Sequence, residues 1–395
     1  MQEGGLLVFN GGSSSIKFTL YDVAAAALNK RVTGQIERIA QAPLLRMYSP
    51  QNKLLAQHQW PAAARPQDTE LLSVLMNELN AHMHLPLRGA GHRIVHGGPH
   101  YSQPTLLNEK VLAQLEASVP LAPLHLPHNL APIRALAALY PQLPQIGCFD
   151  TGFHTTMPRV ERLFGLPREL AEAGVIRYGF HGLSYEYIAS QLPQFDARTA
   201  RGRTLVAHLG NGASVCAFVA NKSVATSMGF SALDGLVMGT RCGSIDPGVL
   251  LYLLRERNYD EQKLEKLLYH ECGLLGLSGG ISSDMRDLLA SDAVAAREAV
   301  AVFVHRLVRE IGALTALAGG IDALVFTGGI GEHAAPIRAE VCAQLQWLGI
   351  DVAKSANESN ARKLHNDNSR VGVWMIPTDE EIIIAQHCKR ILNTA

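Results

Sequence analysis

The sequence predicts an α/β chain made of two related halves. The apolar run Leu6 to Phe9 is followed by glycines and serines over 11–15 and by the alternation Ile16, Phe18, Leu20, the pattern of strand, tight turn and strand. Residues 204–218 repeat that pattern half a chain later around the glycine-rich turn 210–212, as duplicated domains would. Apolar strands and helically spaced segments alternate after each copy, and 395 residues are enough for two cores.

Taken in order, residues 31–60 alternate weakly and extend the first hairpin into a sheet. Leu71, Leu72, Leu75, Met76 and Leu79 give helical spacing over 69–79. Helices are also expected over 108–118 and 129–140. Gly91 to Gly98 reads as a short strand entering a glycine turn, and Ile146 to Asp150 as a buried strand ending in an acid. In the second half, helices are expected over 246–257, 260–270 and 292–317. Asp322 to Phe326 is a strand running into the turn 328–331, with a helix from about Pro336. Val371 to Ile376 is a last strand, and Glu380 begins a terminal helix. The domain break is expected after Asp150: residues 1–150 form one domain, with the helix 381–395 packed back on it, and 151–380 form a nucleotide-binding domain.

Composition excludes several classes. Lys+Arg 35 against Asp+Glu 35 leaves no basic excess for nucleic acid. Hydrophobic content of 47% and charge of 18% argue against long disorder. The most apolar long stretch, 311–326, is broken by Gly319, Gly320 and Asp322, so no membrane span is expected. The first residues lack a basic segment and enter a strand at once, which does not read as a signal peptide. The six cysteines show no metal-ligand spacing and read as reduced, in a cytoplasmic protein.

Three glycine-rich turns follow strands: 11–15, 210–212 and 328–331. Each alone is an ordinary turn; together they suit close backbone approach to phosphates, with Lys17 adding charge. The first is not the strand–GxxxxGK[ST]–helix loop, because a strand follows and Lys17 lies inside it. Arg93 in GHRIVHGG and Arg241 in GTRCGSIDP are wedged between glycines and apolar residues. A planar guanidinium there suits a carboxylate or a phosphoryl group better than a surface ion pair. Of 16 histidines, His125, His181 and His208 stand in unusual contexts, although a lone histidine is more often a bonded core residue. No HxH or HExxH spacing points to a metal trio. Asp150 is either a strand-end acid of an active site or a cap.

With these pieces assembled, the chain resembles the acetate kinase family, which includes propionate and butyrate kinases. The likeness rests on FNGGSSSIKF (9–18), GHRIVHGG (91–98), LAPLHLPHN (121–129), FDTGFHTTMP (149–158) and RYGFHGLS (177–184). It continues through AHLGNGAS (207–214), TSMGF (226–230), GLVMGTR (235–241), GLLGLSGGISSDMRDL (273–288), FTGGIGE (326–332) and IPTDEE (376–381). The resemblance implies the duplicated α/β fold of actin, hexokinase and the heat-shock chaperone ATPases, with an interdomain active-site cleft. It also implies a homodimer, ATP or ADP as co-substrate, and Mg²⁺, with Mn²⁺ as a substitute.

The same resemblance implies roles. Asn10 and Glu380 would hold the metal. Lys17, His208, Leu209, Gly210, Asn211, Gly212, Asp284, Met285, Arg286, Gly329, Ile330, Gly331, Glu332 and His333 would line the nucleotide site. Arg93, Val95 and His125 would bind the acid substrate, and Asp150 would be the acid/base residue. His181 and Arg241 would stabilise the transferring phosphoryl with support from Asn211. A carboxylic acid is already ionised at neutral pH, so Asp150 is expected to orient its neighbours and not to take a proton.

The chain also departs from the family pattern. Leu183 and Tyr185 stand for the threonine and histidine of HGTSH, Ala225 for the aspartate of DTSMG, and Cys242 and Ser244 for the serine and aspartate of TRSGDIDP. A rearranged hydrogen-bond network beside His181 and Arg241 is the expected result. Val95 is the valine of acetate enzymes, where propionate enzymes tend to carry alanine, so acetate leads and propionate follows. A non-catalytic ATP-binding relative is a further alternative. The retained Arg93, His181 and Arg241 argue against it. A dehydrogenase fits poorly, because GGIGE lies late in the chain without the repeated unit around it.

Overall fold

Two sheets share one strand plan. In this computed structural model, which describes residues 4–394 apart from 13, 24–26, 40 and 63, the chain divides into two units, Met1–Gly152 with Asp379–Ala395, and Phe153–Thr378. These boundaries lie two residues from the expected ones at each crossing, and Glu380 falls in the first unit. The expectations that touch residues 1–3 and Ser13 lie outside the described residues.

The first unit holds β1 (Gly5–Gly11), β2 (Ser15–Asp22), β3 (Asn29–Glu37), β4 (Leu44–Tyr48), β5 (Leu54–Gln59), β6 (Leu87–Ile94), β7 (Thr105–Leu106) and β8 (Gln145–Phe149) in the order β5-β4-β3-β2-β1-β6-β8-β7. β1 to β5 form an antiparallel meander, whereas β6 runs parallel to β1 and β8 parallel to β6. The second unit holds β9 (Arg203–Leu209), β10 (Ala213–Val219), β11 (Lys222–Thr226), β12 (Ala323–Thr327) and β13 (Gly372–Met375), in the order β11-β10-β9-β12-β13. Here three strands, β9 to β11, are antiparallel, and β12 and β13 follow in parallel. The five strands β3-β2-β1-β6-β8 thus match β11-β10-β9-β12-β13, the topology of an internal duplication.

The helix Asp68–His82 buries Leu71, Leu72, Leu75, Met76 and Leu79 against the first sheet, where Leu7, Phe9, Phe18 and Val32 form the core. The helix Glu380–Thr394 also belongs to this unit and buries Ile383, Ile384, Ala385 and Cys388. Its close approach depends on Gly91 of β6, where a Cβ would stand 2.5 Å from Cys388 Sγ and from Ile384 Cγ2. In the second unit the helix Gly182–Phe195 packs Tyr185, Ile188 and Leu192 on Val206, Phe218 and Val325. The long helix Val294–Leu317 buries Phe303, Val304, Leu307 and Ile311.

Several expectations need correction. The expected turn 328–331 is already helical, as Gly328–His333, and a second helix, Ala335–Gln344, carries Pro336 in its first turn. Gly328 makes the abrupt strand-to-helix change possible: its φ is +75°, and a Cβ there would lie 2.8 Å from Leu209 O. The helix expected over 260–270 is Glu261–Lys266 followed by a π-turn, Leu267–Glu271. The strand expected from Gly91 starts earlier, at Leu87, and the helix expected from 129 starts at Leu126. No described helix is long and apolar enough to cross a membrane. None of the six cysteines forms a disulfide; Cys148, Cys216, Cys342 and Cys388 are buried, and Cys242 and Cys272 are half-buried.

Candidate functional site

Parallel strands present their carboxyl ends together, and in open α/β sheets ligands bind beyond those ends. In the first unit these ends carry Asn10 (β1), Arg93 (β6) and Asp150 (just past β8). Arg93 pairs in register with Cys148, and the Asp150 N–H bonds Ile94 O at 3.0 Å, so backbone pairing brings the two side chains together. One Arg93 Nη donates to the Asp150 carboxylate, which is fully buried, and the other lies 3.5 Å from Asn10 Oδ1. Glu380, at the start of the terminal helix, places Oε2 3.6 Å from Arg93 Nε and 3.5 Å from Asn10 Nδ2.

Electrostatics here are dominated by burial. Burial alone would weaken the Arg93 charge, but Asp150 and Glu380 outweigh it and hold the guanidinium more firmly protonated. Burial pushes the Glu380 carboxyl up; Arg93 pulls it back, while Asp150 and Glu381 add to the rise. Asn10 and Lys17 are direct cross-strand partners, so their side chains share a face of the hairpin. His125 sits at the N-terminal end of the helix Leu126–Leu139. From that helix Asn129, which sequence reasoning missed, donates to Gly11 O at 2.7 Å and accepts from the Val95 N–H at 2.9 Å. It fixes the β1 turn against the chain beyond Arg93. The signal was present, as a polar residue within LAPLHLPHN among the apolar residues that the helix buries.

In the second unit, His181, His208, Asn211 and Arg241 gather around Gly212. A Cβ on Gly212 would stand 2.7 Å from Arg241 Nη2 and 3.2 Å from His181 Nε2. The His181 and His208 rings stack with centroids 4.3 Å apart. Ser184 Oγ lies 2.8 Å from His208 Nδ1, Ser214 Oγ lies 2.8 Å from His181 Nδ1, and the Tyr185 hydroxyl lies 2.5 Å from Ser214 Oγ. Arg241 donates to Ala232 O at 2.8 Å. Gly239 leaves room for Asn211, whose Oδ1 would be only 2.1 Å from a Cβ there.

The residues that depart from the family pattern have defined places. Ser244 donates to Asp234 Oδ1 at 2.7 Å, and Ala225 is buried on β11. Cys242 interacts with Cys272; this contact, with burial, pushes the Cys242 thiol up, and the same contact draws the Cys272 thiol down against the effect of burial.

A cavity of about 460 Å³ opens beside this cluster. Gly210, Asn211, Asp284, Met285, Arg286, Gly329, Ile330 and His333 all line it, with Ser283, Leu289, Ala334 and Pro336. Asp284 caps the helix Met285–Leu289 and is held down at about 2 by the Arg286 side chain and N–H. The remaining expected nucleotide residues lie elsewhere. Leu209 is buried in β9, and Gly331 packs under Phe326. The Glu332 carboxylate turns inward and accepts from the N–H groups of Gly328 (3.0 Å) and Thr378 (3.3 Å). Lys17 belongs to the first unit. Beneath the Gly328–His333 helix lies Arg338, fully buried, donating to Gly331 O, Glu332 O, Asn357 and Asn360. It too was missed, since nothing near it in sequence marks its partners.

Among the described residues no three His, Cys, Asp or Glu side chains converge as a metal cage. Asn10, Asp150 and Glu380 nevertheless form an all-oxygen donor set that fits Mg²⁺, an ion that keeps several waters and takes only one or two carboxylates.

The Acetokinase family profile matches residues 5–386. An acetate kinase of Rhodopseudomonas palustris is 49% identical over 393 residues, covering 98% of each chain, and one of Rhizobium meliloti is 42% identical over 388 residues, with the same coverage. Among solved structures, a propionate kinase from Francisella tularensis superposes with TM-score 0.89 at 34% identity, covering 97% of this chain and 98% of its own. Porphyromonas gingivalis acetate kinase gives TM-score 0.87 at 32% identity, covering 98% and 100%. The duplicated sheets described above are thus the fold expected from the resemblance, and this chain belongs to the acetokinase family.

Proposed function

We propose that this chain transfers the γ-phosphoryl group of ATP to acetate, forming acetyl phosphate and ADP, and catalyses the reverse reaction. The observation that carries the reading is Arg93, a half-buried guanidinium held by the buried Asp150 at a strand end beside Val95. It presents a planar donor fork suited to a small carboxylate with an apolar tail. An acetate oxygen attacks the γ-phosphorus, the bond to the β-phosphate oxygen breaks, and ADP carries away that electron pair. No proton moves, because acetate enters ionised.

Asp150 acts by orienting Arg93. His181, Arg241 and Asn211 bind the phosphoryl oxygens as their charge redistributes, a task that preorganised donors perform well. The 460 Å³ cavity is of a size to take a nucleoside. Asn10 and Glu380, with Asp150 near, would hold Mg²⁺, which when bound neutralises phosphate charge. A homodimer is favoured by the helix Pro247–Glu256, which buries none of its residues and leaves Val249, Leu251, Tyr252 and Leu254 at least 40% exposed. A second copy of the chain would cover them. The cytoplasm, where ATP is at hand and cysteines stay reduced, is the setting.

Propionate is the second reading, favoured by the likeness to the Francisella propionate kinase. The test is to incubate the protein with Mg-ATP and acetate, propionate or butyrate, trapping acyl phosphate with hydroxylamine. The highest kcat/KM with acetate supports the proposal. A propionate optimum replaces the substrate and keeps the mechanism. ATP binding without acyl phosphate from any acid would overturn it in favour of a nucleotide-binding relative.

A further inference from the structure

Tyr185 is fully buried, and its hydroxyl starts a chain of hydrogen bonds that ends on a site histidine. The phenol oxygen is 2.5 Å from Ser214 Oγ, and Ser214 Oγ is 2.8 Å from His181 Nδ1. Around the phenol stand the rings of Phe153, His154 and Phe218. Both nitrogens of His154 are engaged, with Ser223 Oγ and Phe180 O at 2.9 Å each, and the Cys216 thiol lies 3.3 Å from Ser223 Oγ. Among the described residues Ser214 Oγ is therefore the acceptor within reach of the phenol hydrogen. Burial pushes the Tyr185 hydroxyl well up, so it stays protonated.

This fixes the direction of the chain. A phenol in such a pocket donates, because the opposite orientation would leave its hydrogen buried against rings without an acceptor. Ser214 then accepts from Tyr185 and turns its own hydrogen to His181 Nδ1. A nitrogen that accepts cannot carry the ring hydrogen, which is left on Nε2. Of the His181 ring atoms Nε2 is the nearest to a Cβ placed on Gly212, on the side where Arg241 Nη2 also lies. The backbone adds to the constraint: His181 has φ of +59° at the start of its helix, and its ring is stacked on His208.

We propose that Tyr185 is a positioning residue that, through Ser214, locks His181 as the neutral tautomer with hydrogen on Nε2, ready to donate to an anionic oxygen. The use made of that donor rests on the phosphoryl role given to His181 above; the lock itself does not. A histidine at position 185, as in the family pattern, could donate or accept and would leave the direction open. Tyrosine makes it one-way.

The test uses full-length protein labelled with ¹⁵N-histidine, with the His181 ring signals assigned by their loss in His181→Gln. Expected in the wild type is a bare, hydrogen-bond-accepting Nδ1 and a protonated Nε2. Tyr185→Phe keeps the ring and removes the donor. It should move the His181 signals toward a mixture of tautomers and lower kcat on the order of 10-fold, less than the ~10²–10³-fold for losing a donor outright. Ser214→Ala should shift the same signals, and the double variant should add little to either single change. If Tyr185→Phe does not fold by circular dichroism, the wild-type spectrum and Ser214→Ala decide. Hydrogen on Nδ1 in the wild type overturns the proposal, as do unchanged His181 signals in a folded Tyr185→Phe or, in its absence, in Ser214→Ala. Full turnover by His181→Gln would instead overturn the phosphoryl role and leave the tautomer assignment standing.

Discussion

Arg93 and Asp150 lie at the ends of adjacent parallel strands, and the guanidinium of one is bonded to the buried carboxylate of the other. That bond aims the rest of the guanidinium. Asp150→Asn keeps the shape but removes the charge, so kcat/KM for acetate should fall on the order of 10–100-fold, the value of a charge-assisted bond. KM for ATP should change little. Steady-state kinetics with each substrate varied in turn checks this. Near-normal turnover at saturating acetate and Mg²⁺ would show that the charge is dispensable.

Gly239→Ala addresses the second unit. The added Cβ would meet Asn211 Oδ1 at 2.1 Å and push the amide aside. A displacement of about 1 Å in a positioned group costs ~10²-fold. The expected result is a kcat reduced to that order in a protein whose circular dichroism and melting point match wild type.

Val95→Ala tests acid selection. Val95 is 4% exposed and held through its N–H by Asn129. Enlarging the space beside Arg93 should raise kcat/KM for propionate relative to acetate by roughly 10-fold or more, within the ~10–200-fold of methylene-scale discrimination. An unchanged ratio would place the acyl pocket elsewhere.

Arg338→Ala should destabilise the second unit by about 3–5 kcal/mol, because Gly331 O, Glu332 O and the Asn357 and Asn360 acceptors lose a buried cation together. The Gly328–His333 helix should loosen, raising KM for ATP more than KM for acetate. Thermal unfolding with and without ATP gives the measurement.

His92, His96 and His154 make stability depend on acidity. Each is buried, and desolvation lowers its pKa to about 4. The unfolded chain, with ordinary histidines near 6.5, binds protons first as pH falls. Stability is therefore whole above about 6.5 and declines through the window from 6.5 to 4. By pH 5 the loss is on the order of 2 kcal/mol per ring. Urea unfolding at pH 7, 6 and 5 should show proton uptake on unfolding, and His92→Phe, which stacks on Phe9 in the same place, should reduce the slope.

Much of the site was legible because its residues announce themselves locally. Asn10 and Asp150 each end an apolar run, Arg93 stands between a glycine stretch and Ile94, and a strand end is where a sheet displays polar groups. Gly210, Asn211, Asp284 and Gly329 share a cavity as their motifs suggested. What stayed hidden depends on partners distant in sequence. Asn129 matters only because Gly11 and Val95 fold beside it, and Tyr185 only because β10 brings Ser214 under it. The helix Gly182–Phe195 was also missed. It starts at a left-handed His181 without a polar cap and contains Pro193, so both punctuation marks argue against a helix there. Nor does the place of Glu332 in a glycine motif hint that its carboxylate accepts from backbone N–H groups.

The helix Glu380–Thr394 belongs to the unit that the chain begins, and Glu380 lies against Asn10 and Arg93. A ribosome makes β1 first and Glu380 some 370 residues later. Until then the face of β6 that receives Ile384 and Cys388 has no cover, and Arg93 lacks one of its two acids. Synthesis at about 5–20 residues per second leaves that surface waiting for tens of seconds. The first unit is therefore completed only after the second has been synthesised, and a nascent chain halted before Glu380 would display apolar sheet for chaperones to hold.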